Sequence, residues 1–352
     1  MKKSIIVVVV WLFSIHIGNS QTGTDFTFNR YSVTVKRNLN ESNTFNLYRG
    51  QISVEETENA NAILGEVITN DTILRFIPLV PLGLHQDYTV IYNNHITHFS
   101  LDLPKSYELQ TITDIYPSSK KLPSNVLKWY IKFANPINET NVYNHIRILN
   151  QDGDTLSRTF LNIENALVNT DGRLLTLWIE PGRQKRGLIP NQQLGSVFQP
   201  GKSYKLIVLK TLKDKQGVSM SNDFIHSFQI TEDDRKKPDI NLWEIVSPET
   251  STNDLIMHSN EPLDYGSVLG SIIILDADNK EVFGNWKFTN NEKTLIFKPT
   301  DIWSKGKYRI FFNTRIEDLA GNNLKQLFDN KIDDKDHLVH KNTEYILEFN
   351  IH

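Results

Sequence analysis

Thr294-Leu295-Ile296-Phe297-Lys298-Pro299, a short turn, and then Gly306-Lys307-Tyr308-Arg309-Ile310-Phe311-Phe312 read as a strand, a corner and a second strand. Leu295 and Phe297, then Tyr308, Ile310 and Phe312, fall at alternate positions, which turns each set toward one buried face. A tyrosine at the start of the second strand can bury its ring and return its hydroxyl to backbone groups upstream. The arrangement occurs twice more. Residues 72–78 (TILRFIP) lead to Tyr88, and residues 175–181 (LTLWIEP) lead to Tyr204. Tyr88, Tyr204 and Tyr308 are therefore expected to be structural residues at three equivalent corners.

The 352 residues are enough for two or three domains, and the three corners divide them into units of ordinary sandwich size. An apolar content of 39% with 22% charged residues belongs to a folded chain and excludes a disordered one. A net charge of -3 gives no global pull toward nucleic acid. With no cysteine, disulfide staples and thiolate metal sites are excluded, so each core must cohere by burial.

Residues 1–20 read as a cleaved targeting segment. Lys2 and Lys3 precede a nearly continuous apolar run from Ile5 to Ile17, and Gly18 and Ser20 place small residues behind a cut before Gln21. The run is shorter than the roughly 20 apolar residues of a spanning helix. The expectation is a secreted, periplasmic or cell-surface protein without a membrane span in its mature form.

The remainder reads as all-β, with three tandem sandwiches over residues 21–104, 105–234 and 235–352. In the second, residues 126–133 (VLKWYIKF) followed by Pro136-Ile137 match residues 254–259 (DLIMHS) followed by Pro262-Leu263 in the third. The turns at Asp152-Gly153 and Asp278-Asn279 match, as do Asp214 with Gly217 and Asp318 with Gly321. Similar closing strands end all three units, at residues 98–101, 227–230 and 348–351. Helical periodicity is scarce.

On these motifs a resemblance stands out. "SNEPLDYGSV", "SIIILDADNKEVFG", "TLIFKPTDIWSKGKYRI" and "IEDLAGNNL" in the third unit resemble a bacterial Ig-like domain of the kind found in S-layer and other surface proteins. The second unit, with "LPSNVLKWYIKFANPI" and "LTLWIEPGRQKRGLIPN", is similar to exported bacterial Ig-like proteins carrying a P-G-R-x-K-R-G stretch. The resemblance implies immunoglobulin-like sandwiches and export. It brings no catalytic residues with it.

Pro181-Gly182-Arg183-Gln184-Lys185-Arg186-Gly187-Leu188 is the most distinctive polar stretch, on a long connection ahead of Tyr204. Arg183, Lys185 and Arg186 suit a clamp on sulfate, phosphate or carboxylate groups. Pairing of the same cations with acids of a neighbouring unit is the competing expectation. Trp303, in the corner ahead of Tyr308, joins the candidate ligand-binding set if exposed, where it would stack on a sugar ring; a core position is the favoured reading. The acidic stretch 329–337 with His340 offers carboxylates for Ca²⁺ and two histidines for a transition metal. Its interleaved lysines and the missing EF-hand spacing favour a solvated loop, so no metal is assigned. "GSVFQPGKS" (195–203) carries one residue too many for a phosphate-binding loop and runs into a strand. Neither G-x-S-x-G nor H-E-x-x-H occurs.

The expected function is accordingly non-enzymatic, without a cofactor: surface binding, adhesion or assembly, with an anionic polysaccharide or another cell-surface protein as partner and no nucleic acid. A polysaccharide-binding accessory role is the alternative, and a carboxylate-dependent carbohydrate-active enzyme is less favoured.

Overall fold

A computed structural model describes residues 16–19, 25–37, 43–161, 163–329 and 344–351. The chain divides into two compact units, Met1–Leu109 with Lys213–Ser219, and Gln110–Leu212 with Met220–His352. Of the acidic stretch 329–337 with His340, only Asp329 belongs to the described residues.

The first unit holds β1 (His16–Asn19), β2 (Asp25–Asn29), β3 (Ser32–Lys36), β4 (Phe45–Arg49), β5 (Gly65–Thr69), β6 (Ile73–Pro78), β7 (Asp87–Tyr92) and β8 (His95–Ser100). They form one sheet in the order β1-β2-β3-β6-β5 and another in the order β4-β7-β8. Phe26, Phe28, Val33, Val35, Leu74 and Phe76 from the first sheet meet Leu47, Tyr88, Val90 and Tyr92 from the second. These are the alternate positions of their strands, the period-two pattern of a face turned to a core. β1 falls inside the stretch read as a targeting segment and pairs antiparallel with β2, Ile17 opposite Thr27.

The second unit contains two sandwiches. The earlier one comprises β9 (Ile112–Tyr116), β10 (Lys121–Pro123), β11 (Lys128–Phe133), β12 (Ile146–Leu149), β13 (Leu167–Val168), β14 (Leu174–Trp178), β15 (Ser203–Val208) and β16 (Phe224–Thr231). Its sheets run β13-β14-β11-β9 and β10-β16-β15-β12, around a core that includes Trp129, Ile131, Phe133, Leu175, Leu177 and Phe228. The later one comprises β17 (Glu244–Val246), β18 (Leu255–His258), β19 (Ile272–Leu275), β20 (Gly284–Thr289), β21 (Thr294–Pro299), β22 (Gly306–Asn313) and β23 (Glu344–Ile351). Its sheets run β17-β18-β21-β20 and β19-β22-β23.

The stretch from 294 to 312 is β21, a corner and β22, with Leu295, Phe297, Tyr308, Ile310 and Phe312 all in the core. At the three corners the tyrosine rings are buried. Tyr88 Oη donates to Gly83 O at 3.1 Å. Tyr308 Oη donates to Ser304 O at 2.9 Å and accepts from Ser304 N at 3.0 Å, while Tyr204 Oη accepts from Gln199 N at 3.2 Å. A second repeated device is the Asp-x-x-Gly turn. Asp214 Oδ1 accepts from Gln216 N and Val218 N at 2.8 and 2.9 Å, and Asp318 Oδ1 accepts from Ala320 N and Asn322 N at the same two distances. Each turn is closed by a glycine at positive φ, Gly217 and Gly321.

Removing the two-bond hydroxyl of Tyr308 leaves Ser304 N and O without that partner inside a corner. Tyr308→Phe should therefore lower stability by about 1–2 kcal/mol, and Tyr204→Phe by about 1 kcal/mol at most. Urea unfolding midpoints of the two variants check this, and an unshifted midpoint for Tyr308→Phe counts against the role.

Candidate functional site

In β11 the inward residues are Trp129, Ile131 and Phe133, and the outward ones are Lys128, Tyr130 and Lys132. A strand facing water would expose the outward set. Here Lys128 and Tyr130 are buried, because the later sandwich covers this face, and only Lys132 is exposed. Lys128 Nζ lies 2.5 Å from Glu317 Oε2 and 3.4 Å from Asp264 Oδ1, and 4.7 Å from the centroid of the Trp178 ring. Tyr130 Oη donates to Asp264 at 2.9 Å. Burial would push the ammonium pKa down, but the Asp264 and Glu317 carboxylates outweigh it and hold Lys128 above the ordinary lysine value. Asp264 also caps the short helix Tyr265–Val268, through Ser267 N at 2.8 Å.

The seam extends on both sides of this group. Tyr116 stacks on Tyr265 at 4.0 Å and 4°. The Glu292 carboxylate accepts Ser118 N at 3.1 Å. Leu127 N donates to Leu319 O at 2.9 Å, and the Leu319 side chain enters the core of the earlier sandwich. At Gly266 a Cβ would sit 2.5 Å from Tyr130 Oη, so only glycine permits this closeness.

The P-G-R-Q-K-R-G stretch is built into the same unit. Pro181–Gln184 and Ile189–Leu194 are short helices, where the sequence suggested a plain loop. Arg183 is buried and does not face solvent. Its guanidinium donates to five carbonyls: Nε to Gly195 at 3.0 Å, Nη1 to Ser157 and Arg158 at 3.0 and 3.3 Å, and Nη2 to Leu194 and Ser196 at 3.4 and 3.0 Å. Gln184 is buried beside it and bonds Ser124 O, Val126 O and Val197 N. Arg186 remains exposed and pairs with Asp329 at 2.7 Å, which Arg235 also contacts at 2.6 Å. Lys185 Nζ sits 6.0 Å from the Phe328 ring centroid. Three neighbouring cations thus go three ways, and the shared anion clamp expected of them is not assembled. Trp303 corrects a further expectation: it is buried, its Nε1 donates to Asn253 O at 2.8 Å, and its ring packs against Tyr308 and Phe349. No face of it is free for a sugar.

One group in the unit was not apparent from the sequence. Asp234, Glu261 and Asp318 each bring a carboxylate oxygen within 4.8 Å of the others. Oxygen donors of this kind are those that Ca²⁺ and Mg²⁺ take. Asp234 and Leu319 also line a cleft of about 580 Å³ with Lys121, Arg235, Lys236 and Pro262. Burial first, and then the negative charge of Asp234, raise the Glu261 pKa to about 7 and that of Asp318 to about 8, the latter against its hydrogen bonds from Asn322. The three acids are far apart in the chain, and no local spacing marks them.

Residues 247–332 match the family model described as bacterial Ig-like domain. The later sandwich of the second unit is an Ig-like domain. The solved structures similar to this chain include the MG0-NIE-MG1 region of Escherichia coli alpha-2-macroglobulin, at 11% identity, covering 69% of this chain and 72% of that one with a TM-score of 0.23. The I9-I11 tandem of titin is similar at 12% identity, covering 79% and 87% with a TM-score of 0.22. No curated protein matches the chain. Among the described residues no helix is long and apolar enough to cross a membrane.

Two outcomes follow from this geometry. Arg183→Ala should cost more than about 2 kcal/mol, because it strands several buried carbonyls, whereas Arg186→Ala should stay within about 0.5–1 kcal/mol as an exposed ion pair; chemical denaturation of both variants separates them, and equal losses would contradict the burial argument. Because the folded pKa values of Glu261 and Asp318 lie above their unfolded values, the folded state binds extra protons. Their contribution is fully present below about pH 4 and is lost as pH rises through about 7 to 8. Glu261→Gln should flatten that decline, measured as melting temperature between pH 5 and 8, and an unaltered slope would remove Glu261 from the account.

Proposed function

We propose that the chain is an exported, non-catalytic Ig-like protein of the cell surface, in which the second unit acts as a stiff two-sandwich arm for adhesion or assembly. The observation that supports this is the buried Lys128 group. A buried ammonium stripped of its carboxylates costs several kcal/mol, so parting the two sandwiches is opposed by more than lost apolar contact. An arm that transmits position or force between surface partners needs such a joint, whereas two beads on a flexible linker would not use one. Arg183 and Gln184 brace the longest connection of the earlier sandwich from inside, in keeping with a load-carrying role. The Ig-like match and the basic-then-apolar start of the chain support the surface setting.

Calorimetry tests the arm. In the intact chain the two sandwiches of the second unit should unfold in a single transition, and Asp264→Ala should split it into two. Two separate transitions in the unaltered protein would sink the reading. The surface setting is checked by mass spectrometry of the protein shaved from intact cells, where a mature N-terminus at Gln21 is expected and an inaccessible protein retaining Met1 is the contrary result.

A further inference from the structure

In the earlier sandwich of the second unit, an open groove of about 210 Å³ lies between β12 and residues 155–161. Tyr143, Arg147, Thr155, Arg158 and Phe160 are among the residues that line it, and no carboxylate does. Neither Arg147 nor Arg158 has a side-chain hydrogen bond or ion pair among the described residues, in contrast to Arg183 and Arg186. Arg158 repels the nearby Arg183, whose guanidinium holds the Arg158 carbonyl and is attracted more strongly by Glu180.

The backbone at Arg158 is unusual as well. Ten non-glycine residues have positive φ among the described residues; seven are asparagine, and the others are His85, Glu292 and Arg158. Asparagine tolerates this region, and a long side chain there carries a cost. Glu292 has a structural use for its carboxylate, which binds Ser118 N. Arg158, at φ 49, has no such use. Its backbone is fixed from every side: Arg183 bonds the carbonyls of Ser157 and Arg158, Thr159 Oγ1 donates to Leu156 O at 3.0 Å, and Glu180 N donates to Thr159 O at 2.8 Å. The rigid part of the P-G-R motif therefore presents an unpaired guanidinium at a groove that already holds another.

We propose that this groove binds an acidic glycan, with Arg147 and Arg158 holding a carboxylate or sulfate group and the Tyr143 and Phe160 rings lying against the sugar. Guanidinium forks match both anions, and two of them without a competing acid favour an anion over a neutral ligand. The volume is below the range of drug-sized pockets, which suits one sugar ring or a chain end. Half-buried rings beside the Thr155 hydroxyl offer the mixed apolar and hydroxyl surface of a sugar, which an acidic peptide would not need. The site goes beyond the structural role proposed above and does not depend on the stiffness of the arm.

Titration calorimetry of the full chain with oligogalacturonate and with chondroitin sulfate, against neutral dextran, tests it. Binding to at least one acidic glycan should weaken as salt rises. Arg147→Ala and Arg158→Gly should each reduce affinity roughly tenfold or more, while Arg186→Ala leaves it unchanged. Arg158→Gly is the informative variant, because glycine relieves the positive φ; its melting temperature should hold or rise while binding falls. The proposal is overturned by no binding to either glycan, by binding that both arginine variants retain, or by affinity for polyglutamate peptide alone. A lower melting temperature for Arg158→Gly with unchanged glycan binding would likewise make Arg158 a structural residue and end the assignment.

Discussion

The second unit depends on an ammonium group that has lost its water. Lys128 projects from the outward face of β11, where a lysine would ordinarily be solvated, and the later sandwich closes over it. Asp264 and Glu317 supply the countercharge, and Tyr130 and Ser267 complete the bonding of Asp264. Each partner is positioned by something else: Asp264 by the turn into the short helix Tyr265–Val268, Glu317 by the bond its backbone N donates to Ser267 Oγ, and Tyr130 by the bare face of Gly266. Such a group is sensitive to geometry, since the attraction of its carboxylates has to offset a large desolvation cost.

A protein without cysteine must brace its loops in other ways. Arg183 does this by gathering carbonyls from two separate segments, 157–158 and 194–196, around one planar cation. Five bonds from a single buried side chain fix more backbone than two surface ion pairs would. The Asp214 and Asp318 turns follow the same logic on a smaller scale, each carboxylate tying down two backbone N–H groups.

Much of this was legible in the sequence wherever one residue's neighbours along the chain decide its fate. The alternation of Leu295 with Phe297 and of Tyr308 with Ile310 and Phe312 marks buried faces directly, and the Asp-x-x-Gly spacing marks the turns. What failed was what depends on tertiary covering. Lys128 and Tyr130 look like the wet side of an amphipathic strand, and only the later sandwich reverses that. Arg183 and Arg186 are near-neighbours of one type, yet one turns inward to carbonyls of its own sandwich and the other outward to Asp329, far along the chain. Trp303 sits in a corner, where the sequence leaves exposure open, and it is Asn253 O and two aromatic rings that enclose it. Asp234, Glu261 and Asp318 converge only through folding.

Leu319 has a consequence for how such a chain can evolve. Its side chain belongs to the core of one sandwich while its backbone belongs to a turn of the next, held there by the Leu127 N bond and by a glycine at 321 that leaves room for Leu127. Tandem Ig-like chains lengthen by copying and exchanging single domains, with the linker as the natural seam. Here a genetic exchange at the linker near residue 235 would carry Leu319 out of the preceding core. The heritable building block of this part of the protein is accordingly the pair.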